Sequence, residues 1–364
     1  MKASIASVLL LLTATALSGQ NELLHKYIEE GINSNHALRQ KQIDYSISLA
    51  KLKESRSLFF PDIDINARYT VARGGRVIEF PAGDLLNPVY NTLNMLTVTS
   101  QFPTVENQTF KFYRPKEHET KVSLVQPVFN SDLIYNYRIN RELSEIAGAD
   151  IDIYRRELVK EIKTAYYNCR KALSLLKLAD TSIVLVKENL RVSKRLFEND
   201  KLTIDVVYRS EAELSKAEAA RARALNYFES TRSYFNFLLN RPLETPFEPG
   251  SGEEAILPGG FEEAQEEALK MRAELDRIKN TINANNYALK LEKGNNIPDL
   301  VAVVNYGYQG EEYSFTSDDD FMLASLVLKW DLFQGMANRH KLEQRKLRSE
   351  RLREAYSEAE KAIR

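Results

Sequence analysis

The sequence predicts a mainly α-helical protein carrying four membrane-type β-strands, built as two copies of one helix–strand–loop–strand–helix unit. Three observations predict it. First, a phrase recurs. Residues 57–69 read SLFFPDIDINARY and residues 295–308 read NNIPDLVAVVNYGY, and each passes from a helical pattern through Pro-Asp into an alternating strand. Each is followed by a second strand that closes on a related phrase: Gln126-Pro127-Val128-Phe129-Asn130 in one copy, Trp330-Asp331-Leu332-Phe333-Gln334-Gly335 in the other. Self-similarity on this scale marks a duplicated supersecondary unit. Second, the strands alternate with period two and gather aromatic residues. Third, the longest helical segments carry apolar residues at heptad spacing, which buries a narrow seam against a partner helix.

Taken in order, residues 1–19 have the form of a secretory signal peptide: Lys2, an apolar stretch from Val8 to Leu12, then small residues, with cleavage after Ser18 or Gly19. The apolar run is shorter than the ~20 residues of a spanning helix. No Cys follows it, so a lipid-anchored N-terminus is not expected. The first copy of the unit occupies residues 20–241. After an opening helix its first strand, about 62–71, sets Ile63, Ile65, Ala67, Tyr69 and Val71 against Asp64, Asn66, Arg68 and Thr70. An apolar face backed by a face with charges of both signs suits a strand between hydrocarbon and water, at the ~9–11 residues such a strand needs. A long loop over 72–119, punctuated by Pro81, Pro88, Pro103 and Pro115, leads to a less regular second strand at about 120–128.

An antiparallel helical hairpin is expected over about 131–240. Its first arm spaces Leu176, Ile183, Leu190 and Phe197 by sevens, with Ala172, Ala179, Val186 and Ser193 as companions. After a break at Asn199-Asp200-Lys201 the second arm carries Val207, Leu214, Phe228 and Phe235, with Arg221 interrupting the series. Residues 242–260, rich in Pro, Gly and Glu, read as a linker. The second copy, 261–364, begins with a helix to about Lys293. Strands at about 299–309 and 322–331 follow, then the start of another helix. Met322, Ala324, Leu326, Leu328 and Trp330 share one face of its last strand, and Trp330 is placed to sit at a lipid–water boundary. A sheet in water with one solvated face has the same period, so alternation alone leaves both readings open.

Chemistry-bearing patterns are few. The net charge is −1, with 28% charged and 10% aromatic residues including 18 Tyr, which points to neither nucleic acid nor a polyanionic partner. His25, His36, His118 and His340 are scattered without metal-ligand spacing, and Cys169 is the only cysteine. No nucleophile elbow, phosphate loop or dinucleotide fingerprint occurs. No catalytic residue, metal ligand or cofactor site is expected. The acidic run Asp318-Asp319-Asp320 reads as a solvated loop tip between strands, with a cation-binding extracellular loop as the alternative.

On these features the chain resembles the TolC-like outer-membrane efflux protein family, the outer membrane factors. The likeness rests on the two Pro-Asp strand starts, the QPVFN and DLFQG strand exits, the turn KLTIDVVYRSEAEL at 201–214 and the closure LLNRPLE at 238–244. It implies a homotrimer in outer-membrane lipid, with four strands per protomer closing one twelve-stranded barrel above a periplasmic helical tunnel. Ile63, Ile65, Tyr69, Leu326, Leu328 and Trp330 would face lipid, and Asp64, Asn66, Arg68 and Thr70 the lumen. It implies a passive duct for efflux or type I secretion. Leu202, Thr203, Ile204, Asp205 and Val206 match the family's tip phrase and would dock a periplasmic adaptor serving an inner-membrane pump of the RND or ABC type. The residue-level alternative is that Thr203 caps the following helix while Leu202 and Val206 pack the turn. Where family members usually carry Gly in this turn, the chain has Asn199, Asp200 and Lys201; Asn and Asp tolerate left-handed backbone. The second copy ends soon after Phe333, which implies a longer parent protein with a second hairpin. Two other classes stay open: a periplasmic adaptor or structural coiled-coil envelope protein, and an envelope enzyme, for which no catalytic constellation speaks.

Overall fold

A computed structural model describes residues 22–98, 100–250 and 260–363. The expected signal peptide, 1–19, lies outside the described residues, as does 251–259 of the expected linker. In chain order the elements are α1 (Glu22–Ser34), α2 (His36–Ser57), β1 (Asp62–Val71), β2 (Val77–Phe80), α3 (Ala82–Thr97), β3 (Gln108–Lys111), β4 (Lys116–Phe129), α4 (Ser131–Glu198), α5 (Ile204–Leu238), α6 (Phe261–Met271), α7 (Ala273–Gly294), β5 (Asp299–Gly310), β6 (Asp320–Lys329) and α8 (Ala337–Ile363). They divide into two compact units. One is helical and holds the described parts of Met1–Leu52, Ile139–Asn286 and Leu347–Arg364; the other, Lys53–Arg138 and Tyr287–Lys346, holds the strands.

The helical unit is organised by the heptads. On α4, Ala172, Ile183 and Ser193 are buried and Leu176, Ala179, Val186 and Leu190 half-buried. On α5, Val207 and Phe235 are buried and Leu214, Ala217, Ala224 and Phe228 half-buried. Arg221, the interruption in the apolar series, is an ion pair across the seam: its Nε donates to Asp180 Oδ1 at 2.6 Å. Small positions let the helices approach closely, and the 35 residues of α5 extend about 52 Å at 1.5 Å per residue.

Where α1 joins this hairpin, the core becomes aromatic. Phe235, 1% exposed, meets Tyr27 and Phe247 edge-on at 5.1 and 5.4 Å, with Ile162, Tyr166, Cys169 and Leu239 around it. Burial pushes the Cys169 thiol up to about 11, so at neutral pH it is a small packing group and no nucleophile. The LLNRPLE segment closes the core through backbone chemistry. Asn240 takes the left-handed conformation (φ 54), and the amides of Asn240 and Arg241 return to the carbonyls of Phe237 and Asn236, capping α5. Asn236 Nδ2 then donates to the carbonyls of Leu243 and Thr245 at 2.9 and 2.8 Å. Arg241 grips both carboxylate oxygens of Glu30 and stacks 5.0 Å over the Tyr27 ring. Arg241→Met leaves the half-buried Glu30 carboxylate unpartnered and is expected to destabilise the unit by about 1.5–3 kcal/mol. Urea unfolding followed by circular dichroism measures it, and adding Glu30→Met should recover part of the loss.

The strand unit contains an antiparallel sheet ordered β1-β4-β5-β6. Its register is regular, Ile65 opposite Val122, Val122 opposite Tyr306 and Tyr306 opposite Met322, except for a shift in β4 between Pro127 and Phe129. Pro127 has no N–H to give the ladder, which is why the irregular strand bulges there.

Four details differ from the sequence reading. The stretch 72–119 is not a plain loop. The β1–β4 pairing continues through Ala72 N to Pro115 O and Phe112 N to Arg76 O into the β2–β3 pair, and α3 crosses between them. β4 accordingly begins at Lys116 rather than near 120. The prolines read as breakers, yet Pro81 precedes α3 and Pro88 lies within it. The helix expected over 261–293 is two helices, because Arg272 is extended (φ −74, ψ 115) between α6 and α7. Finally, β6 ends at Lys329, so Trp330 lies beyond the strand that the alternation extended to 331.

Candidate functional site

Directly opposed residues in an antiparallel sheet share a face, so register sorts the side chains of the strand unit. Ile63, Ile65, Ala67 and Tyr69 stand opposite Leu124, Val122, Thr120 and His118. The same face continues through Ala302, Val304, Tyr306 and Tyr308 to Leu326, Ala324 and Met322. Leu328 joins it opposite Leu300. It is an apolar band across every strand of the sheet, and away from His118 much of it is exposed: Ile65 is 75% and Leu326 66% exposed. Such an area of exposed apolar side chains is unusual on a protein surface in water. Ile63, Ile65, Tyr69, Leu326 and Leu328 are brought together here. Trp330, past the end of β6, is not placed by the register; its Nε1 donates to the carbonyl of Asn296 at 3.2 Å.

The opposite face carries Asp64, Asn66, Arg68 and Thr70 against Ser123, Lys121, Glu119 and Glu117. Glu119 bridges Arg68 at 3.1 Å and Lys121 at 2.8 Å, and Gln309 Nε2 donates to Glu117 at 3.1 Å. Charge is concentrated on β1 and β4. On β5 and β6 the same face shows Val301, Val303, Leu323 and Val327 beside Asn305, Ser325 and Gln309. The outer edges of β1 and β6 pair with no strand among the described residues.

The connection from β5 to β6 holds a residue that sequence reasoning passed over. Its side chains Tyr313 and Phe315 close on the imidazole of His118, with ring centroids 4.9 and 5.9 Å away, leaving His118 0% exposed and both ring nitrogens without a hydrogen-bond partner. Asp319 fixes this connection. Its carboxylate accepts from Ser314 and Thr316 at 2.6 and 2.8 Å, and those hydroxyls hold it below the usual carboxylate range. Nothing in the spacing of the four histidines signals this burial; it arises from pairing between strands far apart in sequence.

The second candidate is the turn joining α4 to α5. Asp200 takes the left-handed conformation (φ 56). The Asp200 and Lys201 amides return to Phe197 O at 2.9 Å and Leu196 O at 2.8 Å, the Schellman pattern that glycine usually serves. Asp200→Gly is therefore expected to stabilise the turn by about 0.5–1 kcal/mol, read from the thermal midpoint of the helical unit. Thr203 occupies the N-cap position of α5 with extended backbone, but its side chain makes no cap bond. Its hydroxyl donates instead to the Asp205 carboxylate, which this bond, aided by Arg209, holds below the usual range. This corrects the capping alternative. Leu202 and Val206 are half-buried, as turn packing requires, whereas Thr203, Ile204 and Asp205 are exposed.

Among the described residues no group of three or more His, Cys, Asp or Glu could hold a metal, and no helix is long and apolar enough to cross a membrane. A two-faced sheet whose edges pair with no strand among the described residues, together with a long helical hairpin, is a fold shared with solved outer-membrane proteins. Solved structures establish this likeness. CusC superposes with a TM-score of 0.76 at 11% identity, over 93% of this chain and 72% of its own. The CmeC outer membrane channel of Campylobacter jejuni gives 0.73 at 13%, over 92% and 67%. The outer membrane protein VceC of Vibrio cholerae gives 0.72 at 12%, over 93% and 75%. No family model and no curated protein matches the sequence.

Proposed function

We propose that the protein is a protomer of a passive outer-membrane channel that carries molecules from the periplasm to the exterior. One observation carries this reading: a sheet with an exposed apolar face, a charged opposite face and two edges that pair with no strand among the described residues. In water such a sheet is an aggregation hazard; in lipid its free edges are not viable, since every backbone group must be paired. Both problems vanish together when β1 of one copy pairs with β6 of the next and the ring closes. Three copies give a barrel of twelve strands, with Asp64, Asn66, Arg68 and Thr70 facing the lumen and Ile63, Ile65, Tyr69, Leu326 and Leu328 facing lipid. Trp330 fits the lipid–water boundary. The fold shared with CusC, CmeC and VceC supports the same reading.

The channel needs no chemistry of its own. A water-filled passage lined by both signs of charge discriminates little, so choice of substrate falls to an inner-membrane pump of the RND or ABC type. A periplasmic adaptor would join that pump to the exposed turn residues Thr203, Ile204 and Asp205, flanked by Leu202 and Val206. The direct test is fractionation combined with heat-modifiable migration. The protein is expected in the outer membrane, migrating unheated as a trimer. A stable monomer by mass measurement in detergent would overturn the shared barrel, and recovery from the periplasmic fraction would overturn the channel.

A further inference from the structure

The excursion between β1 and β4 carries a helix whose polar and apolar faces are reversed relative to those of a helix in water. α3 is 16 residues long, about 24 Å. One face is tied to its own chain by side-chain amides. Asn87 exchanges two hydrogen bonds with the backbone of Val105 at 2.9 and 2.8 Å, and Asn94 does the same with Phe102 at 2.8 and 3.1 Å. Asp84 and Asn107 form a third such pair, and Tyr90 packs on Phe102 with ring centroids 5.6 Å apart. Gly83 permits this close approach: a Cβ there would stand 2.4 Å from the Val105 carbonyl oxygen. On the opposite face Leu85, Val89, Thr92 and Leu96 are spaced by four, three and four residues. All are exposed, Leu85 to 63%, Val89 to 52% and Leu96 to 76%. That is the spacing of a seam between two helices.

We propose, on the trimeric reading above, that this stripe is a contact between copies of the chain: α3 of each protomer packs on α3 of its neighbours and narrows the outer mouth of the channel. The β1–β4 pairing runs on into β2 and β3 from the end of the sheet opposite α2 and α4. In a ring of three, the copies of α3 therefore gather at one height about one axis. An identical helix is always at hand. Charge favours the same occupant. Residues 85–105 contain no Asp, Glu, Lys, Arg or His, in a chain of which 28% is charged, so like copies meet without repulsion. A helix lying on lipid would instead carry Lys and Arg on its polar face. Here the polar face is spent on the chain's own backbone. The cations of the excursion, Arg73, Arg76, Lys111 and Arg114, stand before β2 or at and after the end of β3. The amide pairs hold α3 in place before any copy arrives, so the contact orders little that is not already ordered.

The experiment is disulfide trapping in the outer membrane, beside heat-modifiable migration of the same sample. Leu85→Cys, Val89→Cys and Leu96→Cys are made and oxidised one at a time. Each is expected to give a disulfide-linked dimer, because a shared seam brings equivalent Cα atoms within the roughly 7 Å that a disulfide allows. Asn91→Cys, exposed on the flank of α3, and the wild-type chain, whose Cys169 is buried, should give none. Adding Val89→Asp sets a carboxylate into the seam from each copy and should lower the yield of Leu96→Cys at least about fivefold. A protein that migrates as a trimer yet forms no disulfide at 85, 89 or 96 overturns the contact and leaves the channel standing. Labelling by a membrane-impermeant maleimide then identifies the cover, reaction meaning water and protection meaning lipid. Equal yield at 91 and on the stripe overturns the contact as well. A protein that does not migrate as a trimer overturns the channel reading, and the contact with it.

Discussion

Leu326→Arg is expected to remove the protein from the outer membrane, while Asn66→Arg leaves it there. Both positions lie on strands of the same sheet, and both substitutions add one guanidinium. They differ in face: Leu326 stands opposite Ala302 in the apolar band, and Asn66 opposite Lys121 on the charged side. A cation on the lipid side costs about 2–4 kcal/mol near the bilayer midplane. On the charged face it remains hydrated, beside Asp64, whose carboxylate already accepts from Asn66. If three copies close one barrel the penalty enters three times per assembly, and insertion should fail outright. Outer-membrane abundance of the two variants is the measurement. Cysteine substitutions labelled with a membrane-impermeant reagent give an independent reading, with 66 reactive and 65 and 326 protected. Reaction at 65 and 326 with protection at 66 would exchange the two faces.

Asp205→Lys is expected to abolish export with trimer and outer-membrane level unchanged. Asp205 is exposed on the first turn of α5, where it accepts from Thr203 and pairs with Arg209 at 3.5 Å. Reversing its charge alters the surface an adaptor would meet without entering a core. Ile204→Glu, also exposed, should act in the same way. Val206→Glu is a poorer probe, because Val206 is half-buried and the change adds a packing loss to any docking loss. Thr203→Val separates the roles further. Thr203 makes no side-chain cap bond, so a stability effect from this change would come through Asp205 rather than through the helix end. Export measured beside abundance decides the matter: normal export in both charge variants removes the turn from the mechanism, and a parallel fall in level and export makes its role structural.

The parts of this molecule that were legible in the sequence are those governed by short-range period. Ile63 to Val71 alternate because neighbouring residues on a strand point to opposite faces, and Leu176, Ile183 and Leu190 are spaced by sevens because they share a seam. Proline was less reliable. Pro88 reads as a loop signal, yet α3 contains it, and Asn87 and Asn94 tie this helix to the carbonyls of Val105 and Phe102, partners that no local pattern announces. His118 was opaque for a related reason. Its environment is made by Gly310, Tyr313, Phe315 and Asp319, nearly two hundred residues away in sequence, and only the β4–β5 register brings them together. The turn at Asp200 lies between these cases: residue type foretells its left-handed backbone, but not the diversion of the Thr203 hydroxyl to Asp205.

The ion pair between Arg221 and Asp180 has a bearing on length. Two helices joined by an apolar heptad seam can slide past one another by seven residues, about 10 Å, and still match leucine to leucine. Polar contacts do not repeat with that period. Arg221 with Asp180, Ser193 with Ser210 at 3.1 Å, and Lys194 with Glu211 at 2.9 Å all meet at one offset only. A slipped hairpin would leave each of them facing hydrocarbon or water. Their individual energies at such exposure are small. Their joint effect is to act as graduations on a ruler, giving every copy of the rod the same reach.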